Sequence, residues 1–297
     1  MPHLRNLIVS AVNITTEPPH SAERYKAMFQ LLRSMTPSAL GRIGKHERIM
    51  LDYFAGDALS LSGSFARFTH IDPNSPWWDA ENRAAILDES GNPVPQVRRG
   101  IGPNLEHIYF SFIPESHLLV FDTRHISPKQ FARGLQEIVS RDEITSQFGE
   151  IGITVVPKHD DIDKLLMLPR KRQIRVVITL PNGPDVPDTL EGRIKVRYER
   201  MNVRKAETVL VGQTDHNIEV DAELRAAVNV AATNGFAEVS YVGDSGVLET
   251  KSTKDYPRKE KDKCYPDKYW ASLRWLAAKF TGNQREHDAN GTENITQ

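Results

Sequence analysis

The chain has 297 residues, enough for one large domain or two of ordinary size, each with its own core. Its 38 basic and 39 acidic residues give a formal net charge of −1, so affinity for a polyanion has to come from local patches of charge. A single cysteine, Cys264, excludes a disulfide framework or a multi-thiolate zinc site, and no run of eighteen apolar residues predicts a membrane span. With no export signal, we expect a cytoplasmic protein.

The first half of the chain predicts strands with helices packed on them. Leu4–Ile14 has the composition of a buried strand, and Ser21 is typical of a residue that starts a helix. Paired strands are predicted within residues 49–71 and a hairpin within residues 108–122. Ser127, followed by a proline, predicts the start of a second long helix.

Residues 149–185 predict a strand, a helix and a second strand. Residues 151–155 alternate as in a strand, and Asp160 or Asp161 can cap a helix with one apolar stripe. We expect that stripe to pack back on the preceding strand. Four cations then lie beside the almost wholly apolar strand 174–180, where they predict a cationic corner.

Residues 188–202 can be interpreted as a helix or as a strand. A capping box from Asp188 to Glu191 favours the helix, and four arginines would then form a ridge at positions i, i+4, i+7 and i+11. Strand alternation through residues 194–199 is the competing interpretation, and it also places the cations on one face.

The remaining residues predict further mixed structure. A strand at 206–211, a helix at 221–234, a hairpin at 236–252 and a last helix from Pro266 complete an α+β fold of two lobes, with mixed sheets covered by helices. We place the N-terminal lobe at residues 1–149 and a C-terminal lobe with a basic face at residues 150–281. The polar residues 282–297 predict a disordered tail.

Basic residues in the second half predict binding to phosphates, because lysine and arginine supply sequence-independent affinity for a nucleic-acid backbone. We expect duplex DNA as the partner and the three groups to converge on one concave face. The candidate residues are Arg170, Lys171, Arg172, Arg175, Arg193, Arg197, Arg200, Arg204, Lys205, Lys251 and Lys254.

Two alternatives remain open at this point. Asp221 or Asp244, with Glu249 and Lys251, could hold magnesium and position a water, as in metal-dependent nucleases. Otherwise the sequence predicts no catalytic residue and no cofactor. In the second alternative the basic faces are merely solvated, and the protein is an interaction or inhibitor module.

Histidine and tryptophan positions give two further expectations. His117 and His125 flank Asp122, but without a second cysteine or a close histidine pair they predict ordinary polar surface residues. The four tryptophans predict anchors of a symmetric interface in a homo-oligomer, and a dimer is the form we expect. They are Trp77, Trp78, Trp270 and Trp275.

Several short motifs spread over nearly the whole chain carry a family resemblance. They are GSFARFTHID at 63–72, PW at 76–77, FGE at 148–150, VVP at 155–157, LP at 168–169 and STKDYP at 252–257. Together they resemble the bacterial domain-of-unknown-function family 4747, which supplies no established catalytic residues. The order of elements is also distantly similar in architecture to RexA-type phage-exclusion and KwaB-type defence proteins. That similarity implies a homo-oligomeric, DNA-binding component of phage defence.

Overall fold

The computed structural model describes residues 4–17, 20–35, 39–57, 59–98, 100–179, 189–214 and 216–281. These residues form seven α-helices and fourteen strands. The helices are α1 Ala22–Ser34, α2 Pro128–Val139, α3 Asp142–Phe148, α4 His159–Leu166, α5 Leu190–Arg200, α6 Ala222–Thr233 and α7 Tyr269–Thr281. The strands are β1 Arg5–Thr15, β2 Gly41–Arg42, β3 Glu47–Gly56, β4 Leu61–Thr69, β5 Trp77–Asp79, β6 Ala84–Ile86, β7 Glu106–Ile113, β8 Leu118–Asp122, β9 Gly152–Val155, β10 Lys171–Thr179, β11 Lys205–Val211, β12 Gly235–Val242, β13 Leu248–Ser252 and β14 Lys259–Cys264.

The larger sheet has eight strands in the order β14-β1-β8-β7-β4-β3-β2, with β9 also paired to β1. The eleven-residue β1 is long enough to serve three partners: Arg5–Ser10 pair with β14, Val9–Asn13 with β8 and Val12–Thr15 with β9. Helices α1, α2 and α3 bury their apolar stripes on one face of this sheet, and α7 covers part of the other face. Each face therefore has its own hydrophobic core.

The smaller sheet has four antiparallel strands in the order β11-β10-β12-β13. Its core joins Ile174 and Val239 of the sheet to Leu165 of α4, Ile194 of α5 and Val228 of α6, so these helices cover one face. The predicted fold class, α+β with sheets covered by helices, is confirmed.

The central strand, helix and strand do not form one unit, which corrects the sequence interpretation. Strand β9 pairs with β1 in the larger sheet, whereas β10 lies in the smaller sheet. The apolar stripe of α4 packs in the core of the smaller sheet instead of returning to β9. The chain then comes back to the larger sheet for β14 and α7, so that sheet takes strands from both sides of residue 150. The division into lobes at residues 149 and 150 stays a prediction.

Local signals placed several helix starts correctly. The Ser21 side chain accepts a hydrogen bond from the Arg24 amide, and Ser127 forms a full capping box with Gln130 at the start of α2. Residues 190–200 are helical, as the ridge hypothesis required, with Thr189 as the capping residue. Asp188 and the predicted tail 282–297 lie outside the described residues. No helix within the described ranges is long and apolar enough to cross a membrane.

Candidate functional site

The cationic corner at the start of β10 is used mainly to hold the smaller sheet together. Lys171 is buried, and its Nζ donates to the Leu168 carbonyl at 3.0 Å. Burial lowers the pKa of Lys171 because a charged ammonium is poorly solvated there. Arg170 donates to the Gly243 carbonyl at 2.6 Å, and Arg172 lies half-buried where the register of β10 shifts.

Arg175 is neutralised by two carboxylates on the neighbouring strands. Its guanidinium lies 2.8 Å from Glu207 of β11 and 3.2 Å from Glu238 of β12. It also lies over the ring of Phe236, with 5.3 Å between the guanidinium carbon and the ring centroid. Lys254 approaches the same ring at 3.6 Å, and burial lowers the pKa of its ammonium. Both side chains therefore have partners within the smaller sheet.

The smaller sheet separates these two residues from α5, so the expected convergence of the basic groups is wrong for them. Ile174 packs with Ile194 of α5 in one core, which places α5 on that face. Arg175 follows Ile174 in the strand and therefore points to the opposite face, where Phe236 lies beneath both Arg175 and Lys254.

The ridge of α5 has a different environment. Arg193, Arg197 and Arg200 are exposed and follow one face of the helix at i, i+4 and i+7. With Val196 and Met201 they line a shallow groove of about 510 Å³. None of the three forms an ion pair with any residue that the structure describes. We call Arg193, Arg197 and Arg200 the α5 ridge.

The other predicted basic residues do not extend this ridge equally. Arg204 is held by two carboxylates, since its guanidinium lies 3.1 Å from Glu17 and 2.6 Å from Glu150. Lys205 is exposed at the start of β11. Lys251 lies over the ring of Tyr241, with 5.2 Å between Nζ and the ring centroid.

The residues of the nuclease alternative have local roles in the structure. Asp221 caps α6 by accepting a hydrogen bond from the Leu224 amide at 2.7 Å. Glu249 accepts from the Tyr241 hydroxyl at 2.6 Å, and the Asp244 side chain is fully exposed. Within the described ranges, no three histidine, cysteine or acidic side chains form a group that could hold a metal ion. The magnesium site stays a prediction.

A cleft of about 730 Å³ between the larger sheet and the helices of the smaller sheet was missed by the sequence analysis. It contains Asn13 of β1, which is 3% exposed and whose Nδ2 donates to the Thr233 carbonyl and to Oδ1 of Asn234. Among the described residues, Oδ1 of Asn13 and Nδ2 of Asn234 have no partner. The two amides join β1 to the end of α6. A single asparagine within an apolar strand gave no sequence signal for this contact.

His117 is buried, so its interpretation as a surface residue was wrong. Only 5% of the residue is exposed, and its Nδ1 lies 2.6 Å from the Tyr25 hydroxyl. Burial, and then the nearby His20, lower the pKa of His117 to about 4, while burial raises the pKa of Tyr25 to about 12. His117 also has a left-handed backbone with φ of 57°.

The burial of His117 predicts a loss of stability in acid. The unfolded chain binds the imidazole proton near the ordinary pKa of 6.5, whereas the folded chain resists it down to about 4. Stability is therefore complete above the ordinary pKa and falls as pH drops towards 4, by at most about 3 kcal/mol. We expect His117→Asn, which tolerates the left-handed backbone, to show a shallower pH dependence of unfolding by urea. An equal dependence in both proteins would contradict this assignment.

The four tryptophans differ in exposure. Trp78 is 65% exposed and Trp270 is 36% exposed, whereas Trp77 and Trp275 are half-buried. The Lys279 ammonium covers the Trp275 ring at 3.6 Å. Their role as anchors of an oligomer stays a prediction.

A comparison with known protein families shows a match over most of the chain. The sequence model of a family described as "Domain of unknown function (DUF4747)" matches residues 5–273, which include both sheets and the α5 ridge. A search among curated proteins found no match. The family resemblance inferred from the short motifs is confirmed.

Proposed function

The chain belongs to the DUF4747 family, whose description assigns no activity, and we therefore propose a function from the geometry of its surface. We propose that the protein binds the phosphate backbone of duplex DNA through the α5 ridge, without reading the base sequence. Binding through phosphates needs exposed cations at helical spacing and no catalytic group.

The observation that supports this proposal is the contrast between the α5 ridge and three other basic residues predicted to bind phosphate. Arg175 and Arg204 are held by carboxylates, and Lys171 is buried. In contrast, the three guanidinium groups of the ridge meet no described carboxylate, so phosphate oxygens can satisfy their donors. Arginine suits this role because its planar fork of donors matches two phosphate oxygens.

The biological setting that we propose is phage defence or exclusion in the bacterial cytoplasm, carried out by a homo-oligomer. This part of the proposal rests on the distant resemblance in element order to RexA-type and KwaB-type proteins described above. The magnesium nuclease and the interaction module remain alternatives, and no described group of ligands favours the nuclease.

Fluorescence anisotropy of a short labelled duplex, titrated at several salt concentrations, tests the DNA proposal. Three phosphate contacts predict a slope of about −2.7 for log affinity against log salt, or roughly a 40-fold loss of affinity from 50 to 200 mM salt. Replacing Arg193, Arg197 and Arg200 together by glutamate should weaken binding more than tenfold and remove most of that slope.

A matched control separates the effect of the ridge on DNA affinity from the effect of the protein's net charge. Lys259, Lys261 and Lys263 of β14 are also exposed, and their replacement by glutamate changes the charge by the same amount. This variant should keep most of the affinity. An equal loss of DNA affinity in both variants would show that the overall charge of the protein, and not the ridge, attracts the DNA. If the affinity of the wild type does not depend on salt concentration, the proposal is rejected.

A further inference from the structure

Strand β11 is an exposed edge of the smaller sheet. It pairs with β10 on one side and with no described strand on the other. Six of its seven residues are exposed, among them Val209 at 46%, Leu210 at 37% and Val211 at 75%. An apolar edge with free backbone donors and acceptors is a template for pairing with another strand.

Two other strand edges, both in the larger sheet, carry features that oppose such pairing. The edge strand β14 presents Lys259, Lys261 and Lys263, and at the opposite end of the larger sheet β2 has only two residues. Charged side chains and short strands are common protections of natural edges. Strand β11 is neither short nor strongly charged. Its seven pairs with β10 run without a bulge, and its two charges, Lys205 and Glu207, cancel.

The backbone of β11 shows which groups are free. The Gly212 amide donates to the Arg172 carbonyl at 2.8 Å, and these residues continue the register of the β10–β11 ladder. Because hydrogen-bonded pairs alternate along antiparallel strands, residues 206, 208 and 210 bond to β10. The amide and carbonyl groups of residues 205, 207, 209 and 211 therefore point away from the sheet.

We propose that β11 pairs in antiparallel fashion with β11 of a second copy of this chain, about a twofold axis at Thr208. In this register Lys205 lies opposite Val211 and Glu207 opposite Val209, and each is an outward-pointing residue. The four outward residues of each copy then form about eight backbone hydrogen bonds across the axis.

The side chains suit this self-pairing. Leu210 meets Ala206 on the sheet face that carries Ile174 and Ile178, so the apolar face of each smaller sheet continues across the axis. On the other face, the aliphatic stem of Glu207 meets Val209. The two Glu207 carboxylates are diagonal neighbours, but each is already paired with its own Arg175 at 2.8 Å.

The pairing also has a geometric consequence for the α5 ridge. A twofold axis between antiparallel strands is perpendicular to the sheet, so both helix layers remain on the same side. Two copies of the ridge would then face one side of a continuous sheet. The dimer itself does not depend on DNA binding, and its tests contain no DNA.

Sedimentation velocity over a range of protein concentrations tests the interface. A short strand interface predicts a dimer that forms at micromolar concentrations. Replacing Val209 and Val211 by lysine, which copies the protection of β14, should give a monomer whose circular dichroism spectrum is that of the folded wild type. The control replaces Val247 and Leu248, which are 59% and 61% exposed near β13, by lysine and should remain dimeric. A monomeric wild type, or a monomeric control, would overturn the proposal.

Cysteine crosslinking tests the register separately. Thr208 would face its own copy at a non-hydrogen-bonded position, where Cα atoms lie about 4.5 Å apart, within reach of a disulfide. Thr208→Cys should therefore give a covalent dimer under mild oxidation, reversed by a thiol. The single natural cysteine, Cys264, is buried and should contribute little.

Leu210→Cys is the control, because its two copies would lie about 13 Å apart along the strands. Efficient crosslinking of Leu210→Cys instead would refute the register.

Discussion

Gly41→Ala should destabilise the protein by about 3 kcal/mol or more, because it forces a helix away from the larger sheet. A Cβ on Gly41 would lie 2.0 Å from the carbonyl oxygen of Gly134 in α2. This contact is backbone against backbone, so no side-chain rotation relieves it. Helix α2 also carries Phe131 and Leu135 into the main core, and its displacement would loosen both.

Equilibrium unfolding in urea measures this effect, with Gly152→Ala as the matched control. A Cβ on Gly152 would meet only the Thr15 Cβ at 3.8 Å, an ordinary contact, so its cost should stay within about 1 kcal/mol. Equal stabilities of the two variants would mean that α2 does not approach β2 as closely as the structure shows.

Phe110→Ala should lower the free energy of unfolding by about 3–5 kcal/mol, because it removes a fully buried ring from the centre of the larger core. Phe110 lies on β7 with no exposed surface. Its ring centroid is 5.2 Å from that of Phe65 on β4 and 5.7 Å from that of Phe29 on α1. The ring therefore connects the sheet to the helix that covers it.

The same unfolding measurement can separate ring contacts from burial. Phe29→Ala and Phe110→Ala together should depart from additivity by about 0.5–1.5 kcal/mol, because the two rings touch. Trp78→Ala is the control, since its side chain is 65% exposed and its loss should cost no more than about 0.5 kcal/mol. If Phe110→Ala lowers the free energy of unfolding by less than about 1 kcal/mol, the ring does not have the central packing role that the structure assigns to it.

Both positions show which kind of information the sequence lacked. Gly41 falls in a stretch that reads as a loop, and its contact with Gly134 spans more than ninety residues. The sequence contains no period or motif for that contact, because close approach of two backbones depends on how α2 packs on β2. Strand β14 has the same property: its sequence KEKDKC is charged, yet it completes the larger sheet beside β1.

The sequence by itself determined the features that depend on neighbouring residues. The caps at Ser21 and Ser127 and the hairpin of β12 with β13 follow from side chains and turns within a few positions, and a local capping signal favoured a helix at 190–200 over a strand. The spacing of Arg193, Arg197 and Arg200 likewise placed them on one face before any tertiary contact was known. The α+β class followed from the same local periods.

Tertiary structure alone decided which strands pair and which charged side chains form ion pairs. Strands β9 and β10 are neighbours in the chain but join different sheets, because hydrogen-bond partners are chosen by the packing of distant apolar faces. Arg175 and Arg197 look alike in sequence, yet one is held by Glu207 and Glu238 and the other is exposed without a described ion-pair partner. Coulombic pairing acts over a few ångströms in space and not along the chain, so only the folded protein distinguishes a structural cation from one available to a partner.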